Sequence, residues 1–424
     1  MVAYDERMHK MIDRREFLTG ISASCAIAGL AKADADSPST LKPGRYDVYL
    51  KHAKQIPPGQ LGRFSRDTRV IVTHATGTCG YGFDMTRDVK RQFVGTYEFD
   101  GSSRIDVSAG RASGGDLPEV EFEFEESKPR KFYKHSRETL TAATLNVGDA
   151  LLFRTAIGLV RRIELVSAHA EVASKDGDWV KSYRFGAKFK LDGKGISKEF
   201  SIERETPSAS NFAQPFEIGG LIVYLDMVQA AFEDCGGFLG EKDFLTTGVT
   251  CRPKRTVRIT VQEVGVPICP QKIIEWFPGA SKPHSTSICY NGYNTWAGPY
   301  LDSGKTLAHG GLDINMPSGT MLNAPIDFDD QAYFQSVAGG DVNNRWKGEK
   351  KWLDGTSWWL ISNHLNSLKV PEHTPVKAGT IYAETAGVWV WDFEHTHFDF
   401  RIFDGEEDFW LDPWVLMRSS VKAD

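Results

Sequence analysis

Trp389-Val390-Trp391-Asp392-Phe393-Glu394-His395-Thr396-His397-Phe398-Asp399-Phe400-Arg401-Ile402 is aromatic and β-branched, with Phe398, Phe400 and Ile402 in alternation. That period of two predicts a β-strand. Side chains two apart on a strand share a face, so His395 and His397 point the same way. Upstream stand His309-Gly310-Gly311-Leu312-Asp313 and an isolated His364-Leu365. His309 and Asp313 are four apart, again an even separation. Gly310 and Gly311 let the backbone come close or take unusual dihedrals beside them. Imidazole and carboxylate are the usual non-thiol ligands of zinc, and a catalytic zinc takes three protein ligands and leaves one position for water. The first motif offers a His and an Asp. The last offers one His as a ligand and one to spare.

Read in order, the same stretch continues from His309-Gly310-Gly311-Leu312-Asp313 through Pro317, Gly319-Thr320, Ala324, His364-Leu365 and Val376-Lys377-Ala378-Gly379. It ends in His395-Thr396-His397-Phe398-Asp399 and Asp412-Pro413-Trp414. At these residues the chain resembles the lysostaphin/LytM-type zinc metallopeptidases, which cut the peptide part of peptidoglycan. That family reads His-x-Gly-x-Asp, a Pro and Gly-Thr, a lone His-Leu, Val-x-x-Gly and His-x-His-Phe-Glu, with a closing Asp-Pro. The resemblance covers roughly the last third of the chain. Each motif alone is weak, and the specificity lies in the ordered set. Carried over residue by residue, the resemblance implies His309, Asp313 and His397 as ligands of a Zn2+ ion. It implies His364 and His395 as the catalytic pair. Three departures bear on substrate preference more than on chemistry. Ser362 stands where the family often has Tyr, Asp399 replaces the usual Glu, and Val337 to Gly355 is longer and more polar than the usual turn.

A length of 424 residues is a prior for two or three domains. The net charge of -6 argues against nucleic acid as a partner and offers no polybasic surface for wall or membrane. Asp13-Arg14-Arg15-Glu16-Phe17-Leu18 resembles a twin-arginine export signal. The apolar run from Ile21 to Ala31 is too short to span a bilayer, and Ala-x-Ala sites follow at Ala31-Lys32-Ala33 and Ala33-Asp34-Ala35. Residues 1–35 therefore read as a cleaved signal peptide, with the periplasm or cell envelope as destination and no stable membrane anchor. An ordinary basic N-terminal helix is the bland alternative. Met11 is an alternative start. Cys25 lacks the Leu that lipidation expects before it, since Ser22-Ala23-Ser24 stands there. Five cysteines remain after cleavage (Cys79, Cys235, Cys251, Cys269 and Cys289), so at most two disulfides form within the chain. No Cys-x-x-Cys is present, against a structural zinc ribbon.

Ser37 to Lys42 is a polar linker. Residues 36–266 read as a β-rich, sandwich-like domain of unknown role. Short strands are expected at Arg69–His74, Val120–Glu125, Leu151–Thr155, Arg162–Ala168, Tyr183–Leu191 and Arg255–Glu263. One helix is expected from Leu221 to Asp234. The alternation Val120-Glu121-Phe122-Glu123-Phe124-Glu125 predicts one buried and one wet face. His74 and Cys79 read as loop residues. From Pro267 to Leu307 the composition shifts to loops, which sets the boundary of a second domain, 267–424. Cys289 to Trp296 and the polar loop Asn343-Asn344-Arg345-Trp346 each read either as a wall of a peptide groove or as packing. Trp352, Trp358 and Trp359 read as core, and His284 and His373 as surface. The fold class is thus mainly β: an antiparallel β-sheet metallopeptidase domain preceded by a β-rich domain.

The chain has no His-Glu-x-x-His helix and so lacks the Glu base of that metalloprotease class. His364 and His395 are the available groups, and imidazole titrates in the useful range. Any one of these histidines alone is more simply a satisfied core residue. The ordered set beside an export signal points to an exported zinc endopeptidase acting on peptidoglycan cross-links or stem peptides. The competing reading is a non-catalytic, peptidoglycan-binding or regulatory protein, since fold alone does not separate the two. A D-Ala-D-Ala carboxypeptidase fits the His-x3-Asp and His-x-His spacings poorly. The oligomeric state is not readable from the sequence.

Overall fold

Strand-forming runs dominate the chain, and they pair almost entirely antiparallel in the computed structural model of the protein. It describes residues 42–53, 67–74, 77–84, 89–99, 104–109, 120–176, 179–206, 214–229, 253–281, 289–293, 296–300, 305–308, 312–334, 344–390 and 393–421. The export segment, the Ser37–Lys42 linker up to residue 41, His284, His309, Cys235 and Cys251 lie outside the described residues. Among the described residues no helix is long and apolar enough to cross a membrane.

The C-terminal part forms one large sheet. Its strands are β1 (Cys289–Tyr293), β2 (Leu312–Asn315), β3 (Met321–Asn323), β4 (Asp330–Phe334), β5 (Asn344–Lys351), β6 (Ser357–Leu368), β7 (Ile381–Thr385), β8 (Val388–Val390), β9 (Phe393–Phe403) and β10 (Asp408–Leu411). The main path runs β1-β2-β9-β6-β5-β4; β7 joins β6 to β3, and β8 and β10 pair with β9. Strand β9 is central. Phe398, Phe400 and Ile402 are fully buried on one of its faces, as the alternation predicts. Trp276 and Phe277 close that face, with ring centroids 4.7 and 5.4 Å from Phe398. Each large buried ring removes 150–250 Å² from water, so this apolar side holds the sheet rigid beneath the polar one.

Residues 42–266 supply further sheets. Trp179–Gly193 pairs with Val160–Asp176 and Ile196–Thr206, and Leu221–Val228 pairs with Phe216–Ile218 and Val257–Glu263. The one parallel pairing among the described strands joins Lys131–His135 to Ala150–Arg154. The expected strand is present as Val120–Glu126; Phe124 lies opposite the buried Val48 but is itself only half-buried, as are Glu123 and Glu125, which reach Arg91.

Several expectations are corrected. His74 and Cys79 are not loop residues: they lie on the paired strands Asp67–His74 and Gly77–Asp84. Leu221 to Asp234 is not a helix; Leu221–Val228 is a strand, and residues 230–234 lie outside the described residues. Leu221, Val223, Leu225, Met227 and Val228 are all fully buried, and Tyr224 nearly so. A strand buried on both faces shows no alternation, and its continuous apolar run imitates a buried helix. The stretch from Pro267 to Leu307 is not all loop. It contains β1, Trp296–Tyr300 and most of Lys305–Ala308, which pair as short strands. Likewise Asn344 and Arg345 begin a strand rather than sit in a loop.

Apolar residues from both sides of Pro267 form one continuous buried cluster, from Leu140 to Met417. Polar contacts cross the same line. Arg204 Nη2 lies 2.8 Å from Asp412 Oδ2, Thr139 Oγ1 donates to Asp354 Oδ2 at 2.6 Å, and Lys134 pairs with Asp404. Cys269 is unpaired and buried, and burial pushes its thiol up to about 11, which makes it unreactive.

Candidate active site

Strand β9 carries the site because two neighbours share each of its edges. On one edge β2 sets Asp313 across from His397 and Asn315 across from His395. On the other edge β6 runs alongside as far as Asn363, which faces His397; beyond it β8 takes over, with Val388 facing His395. Directly opposed residues occupy the same face of a sheet, with Cβ atoms about 4.5–5.5 Å apart. Asp313, His397, His395, Asn315 and Asn363 therefore occupy one face, opposite the buried Phe398.

His364 is the residue at which β6 departs. Asn344 pairs with Leu365 and Arg345 with Asn363, so His364 is the extra residue of a β-bulge. Its φ is +61°, in the left-handed region. A non-glycine residue there costs on the order of 1–3 kcal/mol, and such strain concentrates at functional sites. The amide of Ala386 holds the distorted turn by donating to the His364 carbonyl at 2.8 Å. Bulges re-aim side chains. Here the His364 ring meets His395 edge-on, with centroids 4.7 Å apart and planes at 66°. His395 is 4% exposed and sits at the floor of the face, while His364 above it is half-buried.

His397 is bonded through Nε2 to Asp399 Oδ1 at 3.0 Å, with both side chains largely buried. Asp399 lies two residues on along β9 and so shares the face. A carboxylate on one imidazole nitrogen fixes the orientation and tautomer of the ring, as it does at metal-bound histidines. The Asp in place of the usual Glu thus still reaches the histidine.

Among the described residues no group of three His, Cys, Asp or Glu side chains is placed to hold a metal. His309 lies outside the described residues, and Asp313 is described through its strand position alone. The rest fits zinc on two grounds. Asp313 stands across from His397, and His397 has the carboxylate partner typical of a metal-bound histidine.

The remaining motif residues are structural. Gly319 has φ +83° in the turn after β2, where Thr320 Oγ1 and Thr385 Oγ1 donate to the Pro317 carbonyl at 2.7 and 2.8 Å. Val376 bridges to Phe328, and Gly379 N donates to the Ala324 carbonyl at 2.8 Å. Asp412 is buried, and its Oδ1 accepts from Trp414 N at 2.9 Å. Ser362 faces away from the site, where its hydroxyl lies 2.9 Å from Tyr382 Oη, which also accepts from Trp276 Nε1 at 2.7 Å. Burial pushes the Tyr382 phenol far up despite those bonds, so it serves as a neutral strut and not as an acid or base. Trp352 and Trp358 are buried as expected, whereas Trp359 is only half-buried and lies on the site face. His373 is exposed.

Two residues of the face, Asn315 and Asn363, escaped the sequence reading. Asn315 is 6% exposed, yet among the described residues its Oδ1 has no hydrogen-bond partner. Leaving a buried acceptor unpaired costs about 1–3 kcal/mol. The period of two from Asp313 would have placed Asn315 on the same face as Asp313.

No family model and no curated protein sequence matches the chain. Solved structures similar to parts of it include the catalytic domain of the antimicrobial peptidase lysostaphin from Staphylococcus simulans. That likeness has 22% identity over 30% of this chain and 89% of that one, with a TM-score of 0.23. For the longer lysostaphin structure the figures are 20% identity, 35% of this chain, 55% of that one and 0.27. A zinc-containing peptidase from Vibrio cholerae is similar over 62% of this chain and 86% of its own, at 11% identity and a TM-score of 0.25. Scores of that size identify no common overall fold, so the functional reading rests on the chain's own residues.

Proposed function

We propose that the chain is an exported zinc endopeptidase that hydrolyses peptide bonds in peptidoglycan cross-links or stem peptides. The observation that carries this reading is the strained His364, turned onto His395 beside the opposed positions Asp313 and His397. His309, Asp313 and His397 would hold the metal. A zinc there supplies Lewis acidity, which polarises a peptide carbonyl and eases the ionisation of water. The chain's own residues do the rest. His364 and His395, outside the ligand set, hold or move protons at their ring nitrogens. One accepts the proton of the attacking water; the other donates to the developing oxyanion or the leaving amine. Asp399 orients His397, and the apolar back face keeps β9 from shifting under them.

The purified chain is expected to carry one zinc per molecule by elemental analysis and to release new amino termini from peptidoglycan sacculi. Chelation should stop the release and added zinc restore it. Full zinc with no new amino termini would transfer the site to the competing reading, a peptidoglycan-binding regulator that keeps the fold without the chemistry.

Export by the twin-arginine route is part of the proposal and rests on Arg14-Arg15 and the Ala-x-Ala sites. Replacing both arginines with lysine should leave the protein in the cytoplasm. Unchanged fractionation would mean another route.

A further inference from the structure

The site face continues past the ligand positions. Across β2, β9, β6 and β5, directly opposed residues form one row: Asp313, His397, Asn363 and Arg345. Arg345 is exposed, and its Nε donates to Asn363 Oδ1 at 2.7 Å. The bond fixes the guanidinium plane but does not neutralise it. Among the described residues, Arg91 and Arg184 are exposed strand cations with carboxylate partners, Glu123 for the first and Glu171 and Glu205 for the second. Among the described residues Arg345 has an amide instead, and its position in the register is on the site face of the sheet, in a chain whose net charge is -6. Further along the same face the half-buried Trp359 lies under Lys347 Nζ at 5.6 Å and the Arg401 guanidinium at 4.9 Å. Arg401 is already paired, 2.8 Å from Asp408. The face beyond His397 thus carries Arg345, Lys347, Trp359 and Arg401 together with the acidic Glu349, Asp399 and Asp408, and among the described residues Arg345 is held by an amide rather than by a carboxylate.

A guanidinium held by one nitrogen presents its remaining N–H groups as a fork that matches a carboxylate. We propose that Arg345 is a specificity-determining residue that binds a free carboxylate of the peptide substrate. Strands lie about 4.7–4.9 Å apart, so the row puts Arg345 about two spacings, ~9–10 Å, from His397. An extended peptide rises roughly 3.3 Å per residue, so the recognised carboxylate falls within about three residues of the bond to be cut. This inference rests on the peptidase reading of the same site and adds the kind of peptide it selects.

The test uses the full chain and muropeptides from sacculi in two forms, with carboxylates intact or chemically amidated. Both kcat/KM and Kd are measured for wild type, Arg345→Ala and Arg345→Lys. Wild type should favour the intact form by about 10–100-fold, chiefly through KM and Kd. Arg345→Ala should lose that preference while keeping its zinc and its rate on the amidated form. Arg345→Lys should keep part of it, because lysine retains the charge but not the fork. Equal treatment of the two forms by wild type overturns the inference, and so does an equal loss on both forms in Arg345→Ala. If no variant cleaves either form, the peptidase reading fails, and the Kd comparison still decides the role of Arg345.

Discussion

Replacing His397 with alanine is expected to remove both zinc and activity, whereas His395→Ala keeps the metal and is nearly inactive. The two residues are two apart on β9, on the same face, and within one sheet, so any general disturbance of the strand would strike both alike. What separates them is their partners. His397 has Asp313 across one edge and the Asp399 carboxylate on Nε2, the surroundings of a metal ligand. His395 has Asn315 across that edge and the His364 ring against it, the surroundings of a proton carrier. Loss of one proton-transfer or oxyanion group commonly lowers rate by about 10²–10⁴-fold. His364→Ala should fall in the same range with zinc retained. Asp399→Asn offers an intermediate case. It removes the anion that orients His397 and should weaken zinc binding by about 10–100-fold, with activity recovered in excess zinc. Zinc titration and cleavage of muropeptides on the same four variants decide the matter. If His395→Ala loses the metal while His397→Ala keeps it, the two roles are exchanged.

The strand bearing His395 and His397 was legible because its pattern is local. A period of two survives whatever the neighbours do, and it alone put both histidines on one face. His364 was legible only as a lone His-Leu. Its aim depends on a bulge between β5 and β6 and on the departure of β6 from β9, features of register that no single stretch of sequence encodes. The place of Arg345 was hidden for the same reason. It reaches the row of Asp313 and His397 only because β5 neighbours β6, and sequence showed just a polar run. Leu221–Val228 was misread because burial on both faces erases the alternation that distinguishes strand from helix.

Arg204→Leu is expected to destabilise the whole chain, the large C-terminal sheet included. Arg204 stands on Ile196–Thr206, in the β-rich part, and its guanidinium reaches Asp412 just after β10. Its Nη1 also donates to the Leu225 and Asp226 carbonyls at 3.1 and 2.9 Å. Asp226 in turn pairs with Arg258 and accepts from the Asp412 amide. All four side chains are buried. Burial pushes the Asp412 carboxyl up, Arg204 pulls it back, and Asp226 pushes it further up. Removing Arg204 takes away the cation nearest Asp412 and leaves that carboxylate in the interior. Breaking a buried pair from one side commonly costs about 3–5 kcal/mol, a large share of a domain's total stability. Replacing both partners by apolar groups removes the unpaired charge, so Arg204→Leu with Asp412→Leu should be less damaging than Arg204→Leu alone. Calorimetry should show one unfolding transition in wild type, moved to lower temperature in Arg204→Leu and partly restored in the double variant. The same contacts bear on truncation. A fragment beginning at Pro267 keeps every candidate ligand but loses Arg204, Asp226 and the apolar partners from Leu140 to Val261. It is expected to be insoluble or to bind zinc poorly. A fragment that folds, binds one zinc and melts like the full chain would show that the buried pair joins two independent units and contributes nothing to either.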